Sequence, residues 1–120
     1  LANDRDGHAT GDALLRRVAE VARACFREQD ILARYGGDEF LVLLPETPGS
    51  SAAGVAERIR KSMESTPVSS RGQSVTATIS IGIACYPSHG SDFESVMEKA
   101  DQAMYASKTG GKNRITMFSA

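Results

Sequence analysis

Three stretches of the chain carry hydrophobic residues at helical spacing, with polar residues on the opposite face. The first runs from Asp12 to about residue 29, and Asp12 is a plausible N-cap. The second runs from about residue 51 to 64. The third starts at residues 91–94, which have the form of a capping box, and ends near residues 110–111. The stripes expected to be buried are Leu14, Leu15, Val18, Ala22, Cys25 and Phe26 in the first helix, Val55, Ile59 and Met63 in the second, and Phe93, Val96, Met97, Ala100 and Met104 in the third.

Strand-like patterns fill most of the remaining chain. Residues 31–35 and 40–44 are apolar runs joined by residues 36–39, which predicts a hairpin whose glycines supply the positive φ of a tight turn. Residues 75–85 alternate strictly, which predicts one long strand, and residues 113–118 suit a short closing strand. The order of elements predicts an α+β domain with a mostly antiparallel central sheet flanked by helices.

Composition and charge restrict the class of protein and of partner. The 120 residues are enough for one domain with a hydrophobic core. A net charge of −1 gives no support for a nucleic-acid partner, so an anionic ligand must be held by a local cluster. No apolar run is long enough to cross a bilayer. Cys25 and Cys85 each lie in an apolar pattern, which favours reduced core thiols and a cytoplasmic setting.

The turn of the first predicted hairpin is the most informative segment. Gly36 and Gly37 have no Cβ, so a ligand can approach the backbone closely there. Asp38 and Glu39 follow at the rim of the turn, where the strand alternation relaxes and both carboxylates could reach one bound group. Gly-Gly-Asp is also common turn chemistry, so a hydrophilic tip with solvated acids is the alternative on these residues alone.

The segment Arg34-Tyr35-Gly36-Gly37-Asp38-Glu39-Phe40 resembles the motif that names the GGDEF family of diguanylate cyclases. Four further segments resemble signatures of that family in the family's order, and together they span nearly the whole chain. They are residues 3–12 (N-D-x-x-G-H-x-x-G-D), 80–84 (S-I-G-I-A), 100–105 (A-D-x-A-[LM]-Y) and 111–114 (G-R-N-R). The resemblance implies a nucleotide-cyclase-like fold and the condensation of two GTP into cyclic di-GMP, with release of two pyrophosphates.

The resemblance also implies roles for individual residues. Asn3 and Asp12 would hydrogen-bond the guanine edge of GTP, because an amide and a carboxylate together match its donors and acceptors. Asp12 could equally serve only as a helix cap. Asp38 would bind Mg²⁺ (or Mn²⁺), and Glu39 would bind metal or activate the attacking 3′-hydroxyl.

Phosphate contacts are implied at the end of the third predicted helix. Lys108 and Lys112 would hold the β- and γ-phosphates as point charges, with Gly36 and Gly37 also contacting substrate. Helix-end lysines are favoured by the helix dipole as well, which is the alternative. Lys112 departs from the arginine more usual in the family, so the charge is kept and the bidentate fork is lost.

A second constellation precedes the hairpin. Arg27 and Asp30, followed after five residues by Gly36, resemble the R-x-x-D site at which cyclic di-GMP inhibits enzymes of this family. An arginine can grip guanine O6 and N7, and an aspartate can accept from N1 and N2. Arg58, on the next helix, is a weaker candidate for a further guanidinium contact.

The resemblance implies an assembly larger than this chain. Two domains, each with one GTP, must face each other, so a homodimer is expected. The family places a strand with a metal-binding aspartate before the Asn3 signature, so we expect residues 1–120 to be one GGDEF domain truncated at its N-terminus. A sensory or receiver domain is expected to precede it, and the parent protein could be membrane-tethered. The alternative function is an inactive GTP- or cyclic di-GMP-binding module that regulates an attached phosphodiesterase domain.

Overall fold

The computed structural model describes residues 4–36 and 39–119, with side chains from Thr10 onward. Within those ranges the chain forms three helices and six strands. They are α1 (Asp4–Ala24), β1 (Ile31–Arg34), β2 (Phe40–Leu43), α2 (Gly49–Ser65), β3 (Val68–Ser70), β4 (Gln73–Val75), β5 (Ile81–Ile83), α3 (Phe93–Thr109) and β6 (Ile115–Met117).

Helix α1 begins eight residues before the predicted start. Asp12 is therefore an exposed residue inside the helix, and its prediction as an N-cap was wrong. The helix passes through Gly7 and Gly11, each of which weakens a helix by about 1 kcal/mol relative to alanine without ending it. Of the predicted stripe, Ala22 is buried, and Val18, Cys25 and Phe26 pack half-buried against the core, whereas the buried Val21 was not predicted.

The hairpin between β1 and β2 is confirmed. The two strands pair antiparallel, with Ile31 opposite Leu43 and Arg34 opposite Phe40. The expected positive φ does not occur at Gly36. Among the described residues, the glycines with positive φ are Gly72 and Gly111. Gly37 lies outside the described residues.

The predicted long strand over residues 75–85 was wrong. Its side chains alternate between half-buried and exposed from Val75 to Ile79, as the pattern required. In the described part of the chain no strand pairs with residues 76–80, so only β4 and β5 form at the two ends. The short hairpin of β3 and β4 was not predicted, because its sequence is polar and carries no alternation. Its turn uses left-handed conformations at Arg71 and Gly72.

The fold class is confirmed as α+β. Across residues 4–36 and 39–119 the strands form three two-stranded sheets: β1–β2 and β3–β4 are antiparallel, and β5–β6 is parallel. Helices α1 and α2 pack on each other around a core cluster of Val21, Ala22, Ile59 and Met63. Helix α3 packs on β5 and β6.

Helix α3 sits unusually close to strand β5. A Cβ on Gly82 would lie 2.7 Å from the Cα of Met104 and closer still to backbone atoms of Met104 and Ala100. The helix starts after Asp92, whose carboxylate accepts from the Ser95 amide at 2.8 Å, so the cap is one residue later than the predicted capping box. Phe93 was predicted to point inward and is 59% exposed.

Candidate functional site

Arg27, Asp30 and Arg58 line one pocket, of about 280 Å³. The pocket lies between the C-terminal end of α1 and the N-terminal half of α2, and Leu44, Pro48 and Val55 add apolar lining. The structure thus brings together the three residues that sequence analysis grouped as an inhibitory site. The pocket offers two guanidinium groups and one carboxylate, a donor and acceptor set that suits a guanine base.

Asp30 is the buried member of this group, with a side chain only 3% exposed. Its Oδ2 accepts from the backbone N–H of Arg27 at 2.8 Å, and its own N–H donates to the Arg27 carbonyl at 3.1 Å. Its Oδ1 lies 3.5 Å from Nη2 of Arg27. The carboxylate therefore fixes the turn that leads into β1 as well as facing the arginine.

The guanidinium of Arg27 is held by the loop that follows β2. Its Nη2 donates to the Pro45 carbonyl at 2.7 Å and to Thr47 Oγ1 at 2.5 Å, although the side chain is half exposed. Arg58 donates to the carbonyl of Cys25 at 3.4 Å. Sequence reasoning missed Pro45 and Thr47, because their approach to Arg27 depends on a left-handed residue between them, Glu46 with φ 52°.

A second groove, of about 380 Å³, runs between α1 and the β1–β2 hairpin. Asp12 lies at this groove, opposite Arg34 and Phe40 of the hairpin. Arg34 also stacks over the Phe40 ring, with its Cζ 5.8 Å from the ring centroid. Arg16 and Arg23 line the groove as well and were missed, although their seven-residue spacing places them on one helical face. The predicted guanine-binding carboxylate therefore sits in a concave, partly basic setting.

The hairpin turn is described at Gly36 and Glu39. The amides of Tyr35 and Gly36 donate to the Glu39 carbonyl at 2.9 and 3.3 Å, which closes the turn. Oε1 of Glu39 lies 3.5 Å from where a Gly36 Cβ would stand, so the half-buried carboxylate folds back over the glycine. The predicted site residues Asn3, Gly37 and Asp38 lie outside the described residues.

Lys108 lies in the last turn of α3, Lys112 lies in the loop that follows the helix, and both are exposed. Within the described ranges no hydrogen bond or ion pair engages either ammonium group. Within the described ranges, helix α3 packs on β5 and β6 and makes no contact with strands β1 and β2. The phosphate-binding role of the two lysines stays a prediction.

The loop after α3 has an uncommon backbone. Gly111, Lys112 and Asn113 have φ of 124°, 62° and 45°, three left-handed values in succession. The left-handed conformation costs a non-glycine residue roughly 1–2 kcal/mol, so the surroundings must hold it. Asn113 is held by Arg60 and Glu64 of α2, two partners that sequence reasoning missed because they are far away along the chain.

Charged groups on α2 support this loop. Arg60 donates two hydrogen bonds to Glu57, at 2.8 and 2.6 Å. This pairing lowers the pKa of Glu57 and raises the pKa of Arg60, in both cases chiefly through the hydrogen bonds. Both groups therefore stay charged over the whole neutral range.

The side chains near the hairpin turn determine whether this region could bind a metal ion. Over the described ranges no three His, Cys, Asp or Glu side chains are grouped to hold one. Among the described residues of the turn, Glu39 offers a hard carboxylate donor. Magnesium bound with a nucleotide needs only one or two carboxylates, because phosphate and water oxygens complete its shell. The described residues are compatible with such a site.

Each of the described helices is too short or too polar to span a membrane.

Comparison with known proteins agrees with this architecture. The family model "Diguanylate cyclase, GGDEF domain" matches residues 1–114. Diguanylate cyclase A of Treponema denticola is 46% identical over 115 residues, which cover 96% of this chain and 31% of that protein. The chain spans about a quarter to a third of the length of the first curated relatives that it matches.

Solved structures match as well. The GGDEF domain of YfiN (TpbB) from Pseudomonas aeruginosa superposes with a TM-score of 0.90 at 39% identity, covering 98% of this chain and 74% of that one. The GGDEF domain of DgcB from Caulobacter crescentus, solved in complex with c-di-GMP, has a TM-score of 0.84 at 38% identity, with coverages of 98% and 70%. The family match over nearly the whole chain is thus joined by agreement in fold, and the chain belongs to the GGDEF family of diguanylate cyclase domains.

Proposed function

We propose that this chain is the catalytic domain of a diguanylate cyclase. In the reaction, the 3′-oxygen of each of two GTP molecules bonds to the α-phosphorus of the other. Both α–β phosphoanhydride bonds break, two protons leave the hydroxyls, and two pyrophosphates depart. The observation that carries the proposal is the complete Gly36–Phe40 motif on the β1–β2 hairpin, with the Glu39 carboxylate folded over Gly36 beside the groove that contains Asp12.

Binding and alignment of GTP are the main tasks of the protein's own residues. Asn3 and Asp12 would hydrogen-bond the guanine, and Gly36 and Gly37 would let a phosphate approach the backbone. Lys108 and Lys112 would supply positive charge to the β- and γ-phosphates. Their exposure, without a described partner, supports this role because no existing ion pair has to be broken.

Asp38 and Glu39 are the proposed acidic centre. Together with phosphate oxygens they would hold Mg²⁺, or Mn²⁺, which would neutralise charge that develops on the leaving pyrophosphate. Glu39 would also accept the proton of the attacking hydroxyl. One domain holds one GTP, so the proposed active species is a homodimer in which two domains face each other. GTP is supplied in the cytoplasm, where we propose that the domain acts.

Product inhibition is proposed at the pocket of Arg27, Asp30 and Arg58. Three groups that match a guanine edge share this pocket, and the related DgcB domain has been solved with c-di-GMP. A bound guanine would take over donors of Arg27 that now serve Pro45 and Thr47. Since the curated relatives are longer than this chain, we also propose that an N-terminal sensory or receiver domain controls dimer formation.

The test is product formation by the full-length protein that contains this chain. Incubation with GTP and Mg²⁺, followed by chromatography, should yield cyclic di-GMP and pyrophosphate. Asp38→Ala should abolish the product. Glu98→Ala, which changes an exposed acid on α3, should leave it unchanged.

Two outcomes would contradict the proposed function or its mechanism. A folded wild-type dimer that binds GTP or cyclic di-GMP and makes no product would replace the cyclase by the regulatory binding module. Product formation by Asp38→Ala at the wild-type rate would remove the acidic centre from the mechanism.

A further inference from the structure

The starting observation is the conformation of Lys112. It is the middle one of three successive left-handed residues, and neither it nor Asn113 is a glycine. Residues other than glycine rarely adopt this backbone conformation, and where they do, contacts with neighbouring groups hold it in place. The groups that hold this loop are therefore informative about what the loop is for.

The side chain of Asn113 is gripped from both ends. Its Oδ1 accepts from Nη1 of Arg60 at 2.9 Å, and its Nδ2 donates to Oε2 of Glu64 at 2.5 Å. Arg60 is only 14% exposed and is itself fixed by two hydrogen bonds to Glu57. A planar guanidinium that binds a carboxylate with one edge and an amide with another leaves the amide little freedom.

The backbone on either side of Lys112 is fixed as well. Its N–H donates to the carbonyl of Ser107 at 2.9 Å, and its carbonyl accepts from Nε of Arg114 at 3.2 Å. Ser107 is completely buried. The main chain of Lys112 is thus held on both sides and its neighbour Asn113 is clamped, while the Lys112 ammonium has no described partner.

We infer that Asn113, through Arg60 and Glu64 of α2, is a positioning residue that directs the ammonium of Lys112 at the polyphosphate of a nucleoside triphosphate. The inference rests on the proposed function, because it assumes that Lys112 contacts phosphate. Lys108 needs no such support, since it lies within the last regular turn of α3. The clamp should therefore matter for one lysine and not for the other.

This asymmetry gives the experiment its internal control. The full-length protein is titrated with 3′-deoxy-GTP and Mg²⁺, because this analogue lacks the attacking hydroxyl and cannot turn over. The variants are Asn113→Gly, which keeps access to the left-handed conformation and removes the amide, and Arg60→Lys, which keeps the charge and cannot bridge Glu57 and Asn113. Each is measured alone, with Lys112→Ala and with Lys108→Ala.

The clamp variants alone should weaken binding of 3′-deoxy-GTP by about threefold to tenfold, a common size for coupling between contacting groups. In the Lys112→Ala background the same changes should weaken it by less than about twofold. In the Lys108→Ala background they should keep their full effect. The affinity for cyclic di-GMP, measured on the same preparations, should not change.

The opposing outcomes separate the two levels of the argument. Full-strength effects in the Lys112→Ala background would mean that the clamp only stabilises the fold, which overturns the inference and leaves the proposed function standing. If Lys112→Ala alone binds 3′-deoxy-GTP as tightly as the wild type, the phosphate role of Lys112 falls and the inference falls with it. Thermal unfolding of every variant checks that the protein under titration is folded.

Discussion

The two basic regions of the molecule are built in opposite ways. At the end of α1 the charged side chains are already engaged: Asp30 is buried against Arg27, and Arg27 is bound by Pro45 and Thr47. At the end of α3 the side chains of Lys108 and Lys112 have no partner in the described part of the chain. There the backbone is engaged instead, through strained dihedral angles and the Asn113 clamp.

The difference concerns what a ligand must displace. A ligand at the Arg27 pocket exchanges existing hydrogen bonds for new ones, so only the surplus contributes to affinity. A polyphosphate at the α3 end meets ammonium groups that no described residue engages, and the conformation of the loop is already formed in the folded protein. The first region therefore couples ligand binding to local stability more strongly than the second.

The largest effect is expected from a substitution where α3 packs against β5, because the position of the α3 lysines depends on this contact. Gly82→Ala would place a methyl group against the backbone of Ala100 and Met104, which cannot yield as a side-chain tip can. We expect a loss of stability of about 3 kcal/mol or more, at or beyond the upper end for overpacking. Urea unfolding measures it.

Gly54→Ala is the matched control for that change. Gly54 lies exposed in α2 with nothing within 4 Å of the new Cβ, so alanine should be neutral or stabilise by up to about 1 kcal/mol. Equal stability of the Gly82→Ala and Gly54→Ala variants would contradict the tight contact between α3 and β5.

The next effect tests whether the Arg27 pocket supports the fold. Asp30→Ala removes the acceptor of the Arg27 amide from a buried position, and we expect a loss of about 1–3 kcal/mol. Asp30→Asn keeps an oxygen acceptor and should lose less. Lys108→Ala changes an exposed side chain and should leave stability nearly unchanged. If it lowered the unfolding free energy as much as Asp30→Ala, the difference between the two basic regions would be contradicted.

A smaller effect is expected where the two strands β5 and β6 meet α3. The Ser107 hydroxyl donates to the Ile81 carbonyl at 2.9 Å and shares a hydrogen bond of 2.6 Å with Thr116. Ser107→Ala should cost about 1–2 kcal/mol, because it removes a completely buried hydroxyl that makes both hydrogen bonds. Combined with Thr116→Val, the loss in urea unfolding should be smaller than the sum of the two single losses. Strict additivity would mean that the two hydroxyls do not interact.

The smallest effect concerns the start of α3. The hydrogen bonds from Ser95 lower the pKa of Asp92. Its contribution to stability is therefore complete above the unfolded-state pKa of about 3.9 and is lost as the pH falls through the lower folded-state value. Asp92→Asn caps the helix without titrating. The gap in unfolding free energy between wild type and Asp92→Asn should shrink from pH 7 to pH 3, and a constant gap would refute the linkage.

Much of the fold could be predicted because it depends on local patterns. The periodicity of apolar residues located α2, α3 and the core half of α1, and two apolar runs around a glycine turn located the first hairpin. The start of α1 could not be predicted, since Gly7 and Gly11 are weak helix formers that the rest of the helix carries along. The prediction of one strand over residues 75–85 was wrong for a different reason. Alternation indicates which side chains are buried, but a strand also needs a neighbouring strand as hydrogen-bonding partner.

The candidate site was predictable only where a short motif contains it. The spacing of Arg27 and Asp30 marked the first pocket, and Arg58 was identified as an accessory residue that the structure brings to the same place. Thr47 reaches Arg27 only because Glu46 adopts a left-handed conformation in the intervening loop. Asn113 and Arg60 are 53 positions apart, and no local pattern in either segment indicates the other.

The seating of α3 also determines how the helix can move. Its backbone at Ala100 and Met104 lies against Gly82, and Ser107 is bonded to the Ile81 carbonyl. Its first turns are closely packed as well, since a Cβ on Gly90 would lie 2.8 Å from the Cβ of Ser95. With close contacts at its start, middle and end, we expect α3 to shift as one rigid rod together with β5, so that a displacement applied at its first turn reaches Lys108 undiminished.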